Sequence, residues 1–235
     1  MAEWTAKRFW KVASVVEAGA GFTVHLDGRK LRTPVKSELI VPTREMAEAI
    51  AAEWDAQGEK VDPLTMPVTR TANAAIDKVA PMHAEVSELV AAYGDTDLLC
   101  YRAGSPIELV ERQNAAWDPL LEWAAGTLSA PLKTGVGIVH VAQDVGVLAL
   151  LAKRVASLDA FQLAAFHDLV GMSGSLIIGF ATTYKVLPVA DLWQRSRIDE
   201  DWQIEKWGED EEEITTSEGK RVGFEHAARF YFMAN

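Results

Sequence analysis

EWDAQGEKVDPLTMPVTRTANAAID, residues 53–77, is where the chain changes from one kind of structure to another. A helical pattern ends on Trp54, and a short connection passes through Pro63 and Pro67. A second helix then opens with Thr69, Arg70, Thr71 and Asn73. Proline fits the first turn of a helix, where its missing N–H would have no partner in any case. The stretch has no metal-ligand spacing, phosphate loop or nucleophile motif. It reads as architecture and recognition.

Upstream the pattern is β. WKVASVVEA and FTVHLDG are rich in β-branched and aromatic residues, and Gly19-Ala20-Gly21 between them signals a tight turn. In the second run Phe22, Val24 and Leu26 alternate with Thr23, His25 and Asp27, as in a half-buried antiparallel strand. Asp27-Gly28 turns the chain into RKLRTP, because both positions accept positive φ. Residues 38–41, ELIV, read as one more short strand. Pro42-Thr43 opens a helix whose Met46, Ala47, Ile50 and Trp54 recur at three- and four-residue spacing. Trp54 is its largest anchor. A helix covering a small sheet makes a two-layer α+β domain, residues 1–65.

Downstream, residues 66–235 read as a mainly helical domain. Ala72, Ile76 and Val79 form one apolar stripe, and Val86, Leu89, Val90 and Tyr93 the next. Pro106 suits the first turn of a helix carrying Leu109, Val110 and the anchor Trp117, which Pro119 should kink or restart. Thr96 lies in a turn between helices. Thr134 to Gln143 is ambiguous, with a strand as one reading. Asp144 and Asp159 suit N-caps. SLIIGFATTY is apolar nearly all round and belongs at the centre of a bundle. One long charged helix is expected from Ala190 to Trp207.

Composition narrows the function. The chain has 235 residues, 49% hydrophobic and 24% charged, which suits a globular protein with a sizeable core. A net charge of −11 argues against nucleic acid, since no basic patch is present to displace counterions. The lone Cys100, in the apolar run LLCY, excludes an internal disulfide and suits a reducing compartment. The opening MAEWTAKRFWK lacks the apolar core of a signal peptide. The longest uncharged run, Leu169 to Tyr184, has 16 residues, short of the roughly 20 that span a bilayer. No membrane insertion is expected.

The candidates for chemistry are weak. GMSGS, residues 171–175, resembles a nucleophile elbow but carries Ser175 where glycine is required and follows a helix rather than a strand. It reads as a helix break with a serine cap. His25, His83, His140, His167 and His226 never recur at ligand spacing, so no metal is expected. Neither glycine cluster, Gly19 to Gly21 or Thr134 to Ile138, sits in a strand–turn–helix context, and no nucleotide or other cofactor is expected. Asp95, Asp97 and Glu122 read as capping or surface acids. Eight tryptophans are many for this length. Trp54, Trp117 and Trp123 lie on amphipathic faces and read as core. Trp193, Trp202 and Trp207 lie among charges, so a partly exposed binding surface and packing on the bundle weigh evenly.

Three blocks share a further property. RFWKVASVVEAGAGFTVHLDGRKLRTP (8–34), the opening stretch 53–77, and YGDTDLLCYRA (93–103) with QNAAWDPLLEW (113–123) occur in one order. In this they resemble the assembly chaperones of the α subunit of the ATP synthase catalytic sector. A weaker match reaches WQIEKWGED (202–210), while the tail after Glu213 fits poorly. The resemblance implies a non-enzymatic chaperone that transiently covers the unassembled α subunit and prevents its aggregation until it joins β. It would be cytoplasmic in a bacterium, with eukaryotic relatives in the mitochondrial matrix. It points to Glu205, Trp207 and Glu209 as partner-binding residues, with Trp202 and Trp193 on the same segment. The alternative is a small-molecule enzyme with Asp97, Arg102 or His167 in a crevice between the two domains. A permanent structural subunit of a larger complex is a third reading.

Overall fold

The computed structural model describes residues 7–208 and 211–235, without the side chains of 211–214. Two compact units emerge. One runs up to His83 and includes Ala160–Ala165 and Arg229–Asn235; the other holds Ala84–Asp159 and Phe166–Ala228. The architecture is α+β, with a small antiparallel sheet and covering helix followed by a mostly helical region.

In the first unit β1 (Ala13–Ala18), β2 (Gly21–Leu26) and β3 (Arg29–Lys30) form an antiparallel meander, with Val15 opposite Val24 and Leu26 opposite Arg29. Asp27 and Gly28 take φ of 47° and 81°, the double left-handed conformation of the tight hairpin turn. Residues 38–41 do not become a strand of their own. They touch the sheet through single bridges, Arg32 to Glu38 and Phe22 to Val41. Gly21 allows this approach, since a Cβ there would lie 2.4 Å from the Val41 carbonyl oxygen.

Helix α1 (Arg44–Asp55) is capped by Thr43, whose hydroxyl accepts from Met46 N and donates to Met233 O. Met46, Ala47 and Ile50 are sealed from water over Val24, Leu26 and Leu39. Trp54 is half-buried and packs on Trp10, with ring centroids 5.0 Å apart.

The decisive stretch is held by two side chains of or next to α1. The Glu53 carboxylate accepts from Val68 N (2.7 Å), Thr69 N (2.8 Å) and the Thr69 hydroxyl (2.7 Å), closing the start of α2 (Pro67–Ala74). Free amide donors and positive dipole charge at a helix start both favour a carboxylate. Buried Gln57 accepts from Asp62 N and donates to Glu53 O and the Thr65 hydroxyl, shaping the turn between the helices. A π-helical turn, Ala75–Val79, continues α2.

The second unit follows from α3 (His83–Ala91), most of which lies within it. It contains the short parallel pair β4 (Tyr101–Arg102) and β5 (Gly135–Val136), so the ambiguous stretch from Thr134 holds only two strand residues. Helix α4 (Ile107–Trp123) is not restarted at Pro119; the Arg195 guanidinium donates to the neighbouring Ala116 carbonyl. Trp117 is fully buried, and its Nε1 donates to Arg195 O at 2.8 Å. Asp144 caps α5 (Val145–Ala156), and Asp159 immediately precedes α6 (Ala160–Ser173).

Gly174 (φ 70°) ends α6, and the Ser175 hydroxyl accepts from Ile178 N, capping α7 (Leu176–Thr183). Residues 176–182 of α7 are all buried. The charged segment forms two helices rather than one, α8 (Val189–Ser196) and α9 (Ile198–Trp207). The Ser196 hydroxyl bonds back to Trp193 O, and Arg197 leaves helical geometry at φ −109°, ψ 7°. Helix α10 (Glu211–Met233) completes the chain.

Two expectations follow. Glu53→Ala leaves two amides at the start of α2 without their acceptor and should cost about 1–3 kcal/mol in urea unfolding; an unchanged midpoint would refute the cap. Asp97 is wholly buried, and burial raises its pKa from 3.8 to about 6 against the opposing bonds from Ile177, Ser175 and Leu99. The folded state thus binds the proton more tightly. The contribution of Asp97 is full below about pH 4, falls by roughly 3 kcal/mol up to about pH 6, and is flat above. The stability difference between wild type and Asp97→Asn should follow that slope; parallel pH profiles would contradict it.

Candidate functional site

Trp202 and Trp207, selected from the sequence of α9, border a groove of about 690 Å³ that lies wholly within the second unit. Trp202, Lys206 and Trp207 of α9 form one wall, and Pro106, Leu109 and Gln113 at the start of α4 another. Tyr101, Arg102, Gly137 and Ile138, from β4 and the segment after β5, complete it.

Polar side chains brace these walls. Buried Gln113 donates to Asp199 Oδ1 at 2.6 Å and accepts from Ala103 N at 2.8 Å, tying α4 to α9 and to the end of β4. Arg112 grips Glu205 with both terminal nitrogens, at 2.7 and 3.0 Å. This hydrogen-bonded pairing holds the Glu205 carboxyl below its ordinary range and raises that of Arg112. The pair is exposed to water, so its value lies in fixing α9 on α4 more than in stability. Arg102 is buried, donating to Leu99 O and Asn114 Oδ1 and meeting Asp118 Oδ1 at 2.8 Å. Its guanidinium lies over Trp117.

The tryptophans divide sharply. Trp193 is 5% exposed and packs on Phe224 of α10 at 5.6 Å. Trp202 is 8% exposed, with the Arg112 guanidinium and the Lys206 ammonium 5.1 and 4.4 Å from its ring. Of the two readings weighed for them, both are packed, covered by groups distant in sequence or along the helix. Trp207 is 78% exposed at the groove edge. Glu209 lies outside the described residues.

Sequence reading missed the opposite rim. Ile138 is 96% exposed, beside Val136 and Val139, which are also exposed. The segment is pinned by a chain of contacts: the Tyr101 hydroxyl to His140 Nδ1 (3.5 Å), His140 Nε2 to Asp95 (3.4 Å), and Gln143 N to Asp95 Oδ1 (3.2 Å). The only signal in the sequence was an apolar run, GVGIVHV, without helical or strict strand period. Arg112 carried no signal, because its partner is 93 positions away.

The residues of the enzyme alternative do not converge. Asp97 is sealed against Ser175, Ile177 and Leu99, and His167 pairs with the adjacent Asp168, which raises its pKa. Of Asp97, Arg102 and His167, only Arg102 lines the groove. Cys100 is buried, and burial, then the negative charge of Asp97, pushes its thiol up to about 12. Among the described residues no cluster of three His, Cys, Asp or Glu side chains can hold a metal ion.

The model of the family described as ATP12 chaperone protein matches residues 7–125. This chain belongs to that family. It is 29% identical to Protein atp12, mitochondrial, of Schizosaccharomyces pombe over 236 residues, covering 91% of this chain and 78% of that protein. The crystal structure of Atp12 from Paracoccus denitrificans superposes with a TM-score of 0.96 at 45% identity, over 99% of this chain and 100% of that one. A point mutant of that protein gives 0.97 at 44% identity, covering both chains fully. The family match ends inside the second unit, just after α4, while the structural likeness to Atp12 continues through α9 and the groove. Among the described residues of this ATP12 family member, no helix is long and apolar enough to cross a membrane.

The burial pattern separates structural from displayed indoles. Trp193→Ala and Trp202→Ala each should cost about 3–5 kcal/mol, the usual loss for a buried large aromatic. Trp207→Ala should stay within about 0.5 kcal/mol of wild type, as exposed substitutions do. Chemical unfolding of the three variants measures this, and early melting of the Trp207 variant would place that indole in the core.

Proposed function

We propose that this ATP12 family member binds the unassembled α subunit of the ATP synthase catalytic sector and keeps it from aggregating until it joins β. The support is the family membership together with the groove, where a displayed indole faces an exposed aliphatic rim. An orphan subunit exposes a large apolar interface that aggregates unless it is covered. A covering protein needs an apolar surface of its own, held in shape before the client arrives. Trp207, with Ile138 opposite and the Arg112–Glu205 pair beside it, has that character.

Trp207 would supply most of the contact energy, since exposed aromatics that become buried dominate interfaces. Glu205 would hold α9 in register through Arg112 and present its remaining oxygen lone pairs to the client. Glu209 enters this reading by resemblance alone. Trp202 and Trp193 would act from beneath, as support for α9. Assembly would take place where the catalytic sector is built: the cytoplasm of a bacterium, the matrix in mitochondrial relatives. The client would leave when β competes for the same surface. No catalytic residue, nucleotide or other cofactor enters this reading.

The test is capture from a native lysate containing the α subunit, followed by a dilution assay of its aggregation. Wild type should retain the α subunit and delay its aggregation. Trp207→Ala should weaken capture by about 2 kcal/mol or more, the range of an interface hot spot. Glu205→Ala should weaken it as well. Failure of wild type to enrich the α subunit would defeat the reading. Full capture by both variants would move the binding face elsewhere.

A further inference from the structure

The first unit has a surface of another kind, at the margin of its sheet. Both sides of β2 are in use: on one, Phe22 exchanges bonds with Val41 and Val24 O accepts from Leu31 N, and on the other lies β1. Strand β1 has a neighbour on one side only. Which of its backbone groups face outward follows from the register. Asp27 N donates to Val12 O at 3.1 Å, and the Gly19-Ala20 turn, with Gly19 at φ 60°, closes the opposed pair Ala18 and Gly21. Bonding to β2 therefore falls on Val12, Ser14, Val16 and Ala18, and the N–H and C=O groups of Ala13, Val15 and Glu17 point out of the sheet. Ala13 bears out the alternation, because its N–H donates to Asp55 Oδ1 at 2.8 Å. For Val15 and Glu17 no described group supplies an outward partner. Every residue of β1 is half-buried or exposed. Proline, lysine and bulges, which commonly block an edge, are absent from β1, whose register with β2 runs unbroken from Ala13 to Ala18.

We infer that the open edge of β1 receives an extended segment of the client protein, added to the sheet as a further strand through the N–H and C=O groups of Val15 and Glu17. This rests on the client-binding reading above and adds a contact surface in the first unit, apart from the groove. The chemistry of the edge selects the occupant. Donors and acceptors spaced along an extended backbone are matched by another extended backbone and by no compact ligand. Val15 flanks the edge on the face that packs against the core and Val16 on the other, so a segment rich in β-branched residues fits beside them. A second copy fits badly. Antiparallel self-pairing centred on Val15 needs the Ala13 amide, which Asp55 already holds. Centred on Glu17 it sets two carboxylates opposite each other, and centred on Val16 it leaves them diagonal neighbours, like charges in both cases. The net charge of −11 adds to this repulsion.

The experiment uses the full chain and its Glu17→Pro variant. Proline at this position removes an outward N–H and no bond to β2, so the sheet should survive, whereas Val16→Pro, at a bonded position, should melt far earlier. Glu17→Ala keeps the N–H and controls for the lost carboxylate, which meets Arg44 at 3.2 Å. Glu17→Pro should capture the α subunit roughly tenfold more weakly than wild type, and Glu17→Ala within about twofold of it. In wild type the amides of Val15 and Glu17 should exchange with deuterium roughly tenfold or more slowly once the α subunit is bound. If wild type captures the α subunit while both amides exchange as before, or while folded Glu17→Pro captures equally well, the inference is wrong and the client reading stands. If Glu17→Pro does not fold, the exchange measurement decides by itself. A dimer in sedimentation that Glu17→Pro dissolves would also overturn the inference, because the second copy would then be the occupant. If wild type fails to capture the α subunit, the probes are a fluorescent Thr-Val-Thr-Val-Thr peptide and the same peptide N-methylated at alternate residues. Binding of the unmethylated form alone, with slowed exchange at Val15 and Glu17, keeps the edge chemistry for another client. Binding of neither, or of both equally, ends it.

Discussion

A carboxylate closed off from water survives in a protein only when donors surround it, and the second unit is arranged around one such group. Asp97 accepts from the Ser175 hydroxyl and from the amides of Leu99 and Ile177, so it binds the start of the central helix α7 to the turn that leads into β4. From that turn the constraint passes outward. Arg102 is anchored on Leu99 O and reaches Asn114 and Asp118 of α4. Trp117 lies under its guanidinium and donates to Arg195 O at the end of α8. Helix α9 starts from there. The displayed surface at Trp207 is thus referred back, through a few directional bonds, to one buried charge. Such networks are costly when incomplete and rigid when complete.

The same low-polarity setting disfavours reactive forms of the neighbouring groups. Cys100 sits beside Asp97, where burial and the negative charge both disfavour a thiolate. Ser175 has the look of a nucleophile in sequence, yet its hydroxyl is used twice, as donor to Asp97 and as acceptor from Ile178 N. Residues that would suggest catalysis are here fastening one helix to another.

What could be read beforehand depended on how local the cause was. The Asp27-Gly28 turn, the Thr43 and Asp144 caps, the apolar stripe of α1 and the all-round apolar α7 each have their reason within a few residues. The opening stretch was recognisable as a junction, but the group that makes it one, Glu53, acts across 15 positions. The segment 229–235 joins the first unit because Phe230 and Met233 complete its core, and no local pattern announces that. At the candidate site the limit was the same. Charged neighbours in sequence left Trp193 and Trp202 evenly between exposed and packed, whereas Phe224 and Arg112, remote in the chain, cover them. Trp207 has no such cover. Only the fold separated the displayed indole from the structural ones.

A chaperone that displays apolar side chains faces the hazard it guards against, namely association with its own kind. Charge is the available remedy, and its magnitude suits the task. A pair of exposed charges at contact distance is worth on the order of 1 kcal/mol in water and fades beyond about 8–10 Å at physiological salt. One acid beside Trp207 would therefore do little. The net charge of −11, summed over the chain, adds many small repulsions against a second copy. Against a basic flank the same terms reverse sign and speed the encounter. A net charge of −11 thus opposes association with a second copy while leaving a basic partner surface open to approach.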